Sequence, residues 1–191
     1  MNKFRVLILT LISITCVSVY AQNSKNEISF GIGFESWRDI RESFQEPFTS
    51  IFSFGFIKNE TVSNTETFTL NYKNYLTANT TIGATLNYQK FKNQLLFLDE
   101  PTSIIETRYY TLMGRGDYYY LRSEIIKLYS GVAVGAMLGH ESGESIDSKN
   151  ELYFAFQANF FGLRVGKNLA GFFELGFGFN GIINMGLAYS F

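Results

Sequence analysis

Large apolar side chains recur at every second position along most of this chain, with small or polar residues between them, and a period of two is the signature of β-strands. In Glu27 to Glu35 the even positions are Ile28, Phe30, Ile32 and Phe34, while the odd ones are Glu27, Ser29, Gly31, Gly33 and Glu35. Phe48, Phe52, Phe54 and Phe56 repeat this against Thr49, Ser53 and Gly55, and Phe68, Leu70 and Tyr72 oppose Thr69, Asn71 and Lys73. The pattern predicts strands over 27–35, 48–57, 66–75, 80–92, 104–121, 127–139, 151–165, 171–179 and 182–191. The fold class is all-β.

What distinguishes this alternation is the chemistry of its polar face. A soluble β-sandwich or a lipocalin also alternates, but its solvated face normally carries charge. Here that face is mostly Gly, Ser, Thr, Asn and Gln, as in 81–89, where Thr81, Gly83, Thr85, Asn87 and Gln89 face away from Ile82, Ala84, Leu86 and Tyr88. Such a face suits the crowded interior of a small barrel. Composition agrees, with 20 Phe and 12 Tyr against 2 Pro, and with 17% charged residues where about 25% is usual.

The first residues follow a different rule. Met1 to Arg5 carries two positive charges, Val6 to Val19 is an uninterrupted run of apolar and small hydroxyl residues, and Val19, Tyr20 and Ala21 form a V-x-A cleavage site. This is the layout of a signal peptide over 1–21, and its apolar run is shorter than the roughly 20 residues of a spanning helix. Cys16 lies inside it behind Ser13, Ile14 and Thr15, a poor site for lipid attachment. The mature domain is then 22–191. Loss of Lys3 and Arg5 shifts the net charge from −1 to −3, and the mature part holds no cysteine and one histidine. Disulfides and thiolate chemistry are excluded.

The C-terminus ends in Ile183, Met185, Leu187, Tyr189 and Phe191, alternating with Asn184, Gly186, Ala188 and Ser190. This resembles the last strand of bacterial outer-membrane β-barrels, and in size and layout the chain is similar to the small OmpA-type and OmpX-type barrels. The resemblance implies a closed antiparallel up-and-down transmembrane barrel in the outer membrane. It also implies that Leu187, Tyr189 and Phe191 are the signal read by the barrel-assembly machinery. Physics requires the same closure, because a sheet in hydrocarbon must satisfy every backbone N–H and C=O within itself.

With Phe191 on the inner side, the connections over 77–79, 122–126 and 166–170 fall inside and are short. Those over 93–103 and 140–150 fall outside and are long and polar. Ser36 to Pro47 is then an outer loop or a short helix. Tyr72, Tyr118, Tyr120, Tyr189 and Phe191 fall at the inner rim, as an aromatic girdle does. Nine candidates cannot close with both ends on one side, so the expectation is eight strands, with ten as the alternative.

Parity sends Glu27, Glu35, Lys73, Arg115 and Asp117 into the interior. A phase slip between Phe160 and Phe161, as at a β-bulge, turns Arg164 inward too. A turn over 168–170 would place Arg164 opposite Glu174. An eight-stranded interior is about wide enough only for side chains, and buried charges must pair, so a polar plug is the first expectation and a narrow channel for small ions or solutes the alternative.

One stretch offers catalytic letters. His140, Ser142 and Glu144 lie within five residues, and His and Ser two apart on a strand share a face. Their order resembles that of outer-membrane lipid A deacylases, which implies Ser142 as nucleophile, His140 as base and Glu144 or Glu151 as orienting acid. A solvated polar loop explains the same residues. Composition offers no cofactor or metal site, and no basic stripe for nucleic acid. The expected partners are outer-membrane lipids, the assembly machinery, and an extracellular ligand or protein at the outer loops.

Overall fold

The computed structural model describes residues 25–36, 57–97, 100–143 and 146–191. Residues 1–24, most of the expected outer segment over 36–47 and all but Ile57 of the expected strand over 48–57 lie outside these. The strands are β1 (Asn26–Phe34), β2 (Ile57–Asn64), β3 (Thr67–Tyr75), β4 (Thr80–Phe97), β5 (Glu100–Arg122), β6 (Ile126–Gly143), β7 (Ile146–Gly166), β8 (Leu169–Gly178) and β9 (Ile183–Ser190).

From β3 to β9 each strand pairs antiparallel with the next, β2 pairs with β4, and β1 pairs with both β3 and β9, which closes the sheet. Nine strands make eight staves because β2 and β3 are collinear. Both lie along β4, with Asn64 opposite Phe91 and Phe68 opposite Tyr88. The interruption at Thr65 is stitched to β4, its amide donating to Lys90 O and its hydroxyl accepting from the Lys90 amide, both at 2.9 Å. The expected parity of eight is met, and Ile57 belongs to an outward extension of the second stave.

At the end holding Asn26 and Phe191 the turns are tight. Thr77 Oγ1 accepts from the Asn79 and Thr80 amides, and Ser123 Oγ accepts from the Ile126 amide. At the opposite end the chain departs from expectation. The described residues of 93–103 and 140–150, expected as loops, are paired strands: Asn93 faces Ile105, Phe97 faces Glu100, and His140 faces Asn150. A polar composition does not prevent pairing, since a hairpin satisfies its backbone whatever its side chains are. One wall, β4 to β7, therefore stands well above the other, β8, β9 and β1.

The solvation pattern is the inverse of a soluble protein. Phe30, Leu112, Val132, Phe154 and Leu187 are each more than half exposed on the outer face, while Thr67, Thr85, Arg115 and Glu174 are buried within. Near the taller end the interior holds an apolar cluster, Met113, Ala133, Met137 and Ala155 packed on Phe179, among buried amides and hydroxyls. Phe179 arrives there because the β8–β9 turn folds inward. Gly178 and Gly181 take φ of 139° and 103°, conformations glycine adopts without strain. Asn87 Nδ2 then donates to Asn180 Oδ1 at 2.8 Å, and the Asn180 amide donates to Gln157 Oε1 at 2.9 Å.

Candidate functional site: the ion lattice inside the barrel

The charged side chains buried in the barrel form two balanced groups. In the first, Asp117 sits between Lys73 Nζ at 3.2 Å and the Arg115 guanidinium, whose Nη2 and Nε each approach it at 2.9 Å. Arg115 also reaches across the interior to Glu174. Glu174 accepts further bonds from Tyr129 OH at 2.7 Å and Asn184 Nδ2 at 3.2 Å, and Asp117 accepts from Thr81 Oγ1 at 3.1 Å. Two cations meet two anions, and polar neighbours take up remaining lone pairs. This is the condition under which ions survive burial.

In the second group Arg164 Nε donates to Glu27 Oε2 at 2.7 Å, and Ser190 Oγ bridges the pair, accepting from Arg164 Nη2 at 2.8 Å and donating to Glu27 at 3.0 Å. The remaining donors of Arg164 serve the carbonyls of Gly166 at 2.8 Å and Lys167 at 2.7 Å, so the guanidinium also holds the β7–β8 turn closed. An arginine suits this place because its fork keeps five donors in fixed directions.

Two sequence expectations need correction. Arg164 does not face Glu174. The β7–β8 turn consists of Lys167 and Asn168, with Gly166 opposite Ala170, so Arg164 falls opposite Phe172 and Glu174 opposite Gly162. Glu35 does not point inward either. Its φ of 52° breaks the alternation of β1, leaving Glu35 exposed and Ser36 buried, where Ser36 Oγ donates to Gln89 Oε1 at 3.0 Å. The slip in β7 is present as a register shift between Asn159 and Phe161 against β8, with Phe160 and Phe161 both outward and Arg164 buried.

Aromatic rings fill the space around the ions. Tyr119 and Tyr129 lie 4.9 Å apart by centroid, Tyr75 stacks on Tyr119 at 5.5 Å, and Lys73 Nζ sits 4.4 Å over the Tyr129 ring. Gly162 makes room for Tyr129, since a Cβ there would collide with the ring. At the terminal end a 770 Å³ cavity opens, lined in part by Lys25, Arg122, Lys127 and Lys167. Sequence reading did not find the inward turn at Phe179 and Asn180. The small residues Gly178 and Gly181 on either side of it were the available signal.

His140 and Ser142 lie on β6 opposite Arg108 and Glu106 of β5. His140 Nδ1 is engaged by Asn150 Oδ1 at 2.7 Å, and among the described residues no hydrogen bond joins His140 to Ser142. Glu151 is bonded by Tyr153 OH, and the Glu144 residue lies outside the described residues. The terminal residues Leu187 and Tyr189 lie on the outward face of β9 at its seam with β1, and the Phe191 amide donates to Asn26 O at 2.9 Å.

No family model matches the chain, and no curated protein matches it. Among solved structures, it is similar to Ail, the attachment invasion locus protein of Yersinia pestis. The match has a TM-score of 0.40 and 11% identity, and covers 87% of this chain and 96% of that one.

Proposed function

We propose that this chain is an integral outer-membrane β-barrel with a closed, non-conducting interior, acting as a structural or surface-binding scaffold through the tall β4–β5 and β6–β7 hairpins. The observation that carries this reading is the inversion of polarity: among the described residues, a mostly apolar outer face surrounds a paired, charged interior. In water that outer face would be a large aggregation-prone patch; in hydrocarbon it is the required surface.

Dimensions support it. Along β5 the outward rings run from Tyr110 to Tyr120, and at about 3.4 Å per residue with a tilt near 40° the band between them is about 26 Å tall, matching the apolar belt of such barrels. The termini and short turns then lie on the periplasmic side and the tall hairpins outside. In this reading residues 1–21 are the signal peptide, cleaved near Ala21. Leu187, Tyr189 and Phe191 present the final strand to the assembly machinery.

The experiment is gel mobility of boiled and unboiled protein from washed outer membranes, comparing the full chain with one lacking Phe191. Membrane residence with a shift on boiling, lost without Phe191, is the expected result. Release as a soluble periplasmic protein with no shift would sink the reading. Planar-bilayer recording tests closure separately: Arg164→Ala should leave conductance near zero, because Arg115, Tyr129 and Phe179 still occupy the interior, and clear channel opening would favour a gate.

A further inference from the structure

The cavity at the terminal end carries charge that the ion lattice does not neutralise. In the cross-strand row where β5, β6 and β7 meet its wall, Arg122 stands opposite Lys127, and Lys127 opposite Arg164. Like charges directly opposite each other are destabilising, so a row of three cations calls for anions. Arg164 has one, Glu27 at 2.7 Å. Arg122 and Lys127 have none among the described residues. Both lie over the ring of Tyr75, at 4.7 Å and 4.9 Å from its centroid, and they donate to the neutral acceptors Ala78 O and Tyr75 OH.

The anions nearby are already engaged. Deeper in the barrel Asp117 and Glu174 are held by Lys73 and Arg115. Glu124, the only acidic side chain among the described lining residues, pairs with Lys167 at 3.3 Å. Lys25 also lines the cavity, and a terminal carboxylate at Phe191 can be counted against it. Arg122 and Lys127 still lack a counter-charge. The cavity is a cup: its floor is Tyr75, packed on the buried Tyr119 with centroids 5.5 Å apart. Its 770 Å³ falls within the range of about 300–1,000 Å³ found for small-molecule sites. Outside the same wall Ile126, Val165 and Leu169 are exposed, so an apolar surface separates the cup from anything lying beside the barrel.

We propose that this cup binds a small soluble anion built from linked phosphate groups, entering from the periplasmic side. The inference rests on the membrane reading above for the side it faces. A single carboxylate carries one charge and leaves one of the two cations unanswered. A short phosphate chain brings a charge for each of Arg122 and Lys127, with more oxygens within reach of Lys25. The fork of Arg122 suits paired phosphate oxygens, and the lysine amines act as point charges beside it. Arg122 is held in place beforehand by Ala78 O and the Tyr75 ring, and Lys127 by the Tyr75 hydroxyl, which lowers the ordering cost of binding.

The test uses the full chain folded in dodecyl maltoside micelles, titrated calorimetrically at one ionic strength with sodium tripolyphosphate and with inorganic monophosphate. One charge-assisted contact is worth about tenfold, so Arg122→Gln and Lys127→Gln should each weaken tripolyphosphate about tenfold, and R122Q/K127Q about 100-fold. Monophosphate, reaching one cation fewer, should bind the wild type about tenfold more weakly than tripolyphosphate. Lys92→Gln, the same charge change at the opposite end, should bind like the wild type. Should the cup variants misfold, Lys25→Gln alters only an exposed side chain and should cost about threefold, the worth of an exposed ion pair. Equal binding of the two anions, or an equal loss in Lys92→Gln, overturns the site. Phosphatidylglycerol mixed into the micelles should not displace tripolyphosphate; displacement would overturn the soluble ligand. The boiling shift is scored on the same samples. A wild type that shifts but shows no preference for tripolyphosphate overturns the site alone. One that binds with these losses, yet stays soluble without detergent and shows no shift, supports the cup and overturns the membrane reading.

Discussion

The two halves of the barrel interior are filled by opposite means. Towards the termini, six charged groups are buried, and each is held by partners from other strands. Lys73, Arg115, Asp117 and Glu174 interlock, and Arg164 closes on Glu27. Towards the tall end, Met113, Met137 and Phe179 fill space by volume, with the inward turn pinned by amide bonds from Asn87 and Gln157. The difference teaches how each half should fail. An ion removed from a balanced group strands its partner in a site water does not reach, whereas an apolar group trimmed from a plug leaves a graded void.

The sharpest way to break that comparison is Glu174→Ala. It leaves Arg115 and Lys73 sharing Asp117 and deprives Tyr129 and Asn184 of their acceptor, and should cost about 3 to 5 kcal/mol in urea unfolding followed by gel mobility. Replacing both Arg115 and Glu174 by apolar residues is the complementary experiment. It removes the charges together but leaves Lys73 with Asp117, and should cost much less than either single change; additive losses would mean that the pair is not the unit. Gly162→Val comes next, since any side chain there must displace the Tyr129 ring, and overpacking of this kind costs about 1 to 3 kcal/mol by the same unfolding measurement.

On the apolar side, Phe179→Leu should cost about 1 kcal/mol and leave conductance at zero, because the ion lattice below is untouched. If it proved as damaging as Glu174→Ala, the two halves would not differ as described. The smallest effect belongs to the exposed Lys167 and Glu124 pair at 3.3 Å, where Lys167→Gln should change stability by less than about 0.5 kcal/mol.

Much of this architecture is written locally. Phe30 and Ile32 against Ser29 and Gly31, or Leu112 against Arg115 and Asp117, place side chains on opposite faces whatever the strand pairs with, because successive Cβ atoms alternate. The all-β class and the closed eight-stave barrel follow from such segments together with the short turns at 76–79, 123–125 and 167–168. The site is less legible. Arg164 meets Glu27 across 137 positions of sequence, and Arg115 meets Glu174 across 59. A shift of one residue in the β7–β8 turn is enough to change which acid lies opposite Arg164.

What the sequence determined by itself is therefore a set of faces: where each strand runs, which residues share a side, and that one side is apolar while the other is polar and nearly charge-balanced. That information is carried by a period of two, which each strand holds alone. What only the tertiary structure decided is partnership. Closure of β1 on β9, the reach of Arg115 across the interior, the left-handed Glu35 that ends the alternation, and the turn that carries Phe179 inside all depend on distances between strands. Those distances are set by register and shear, which are properties of the closed barrel and of no single segment.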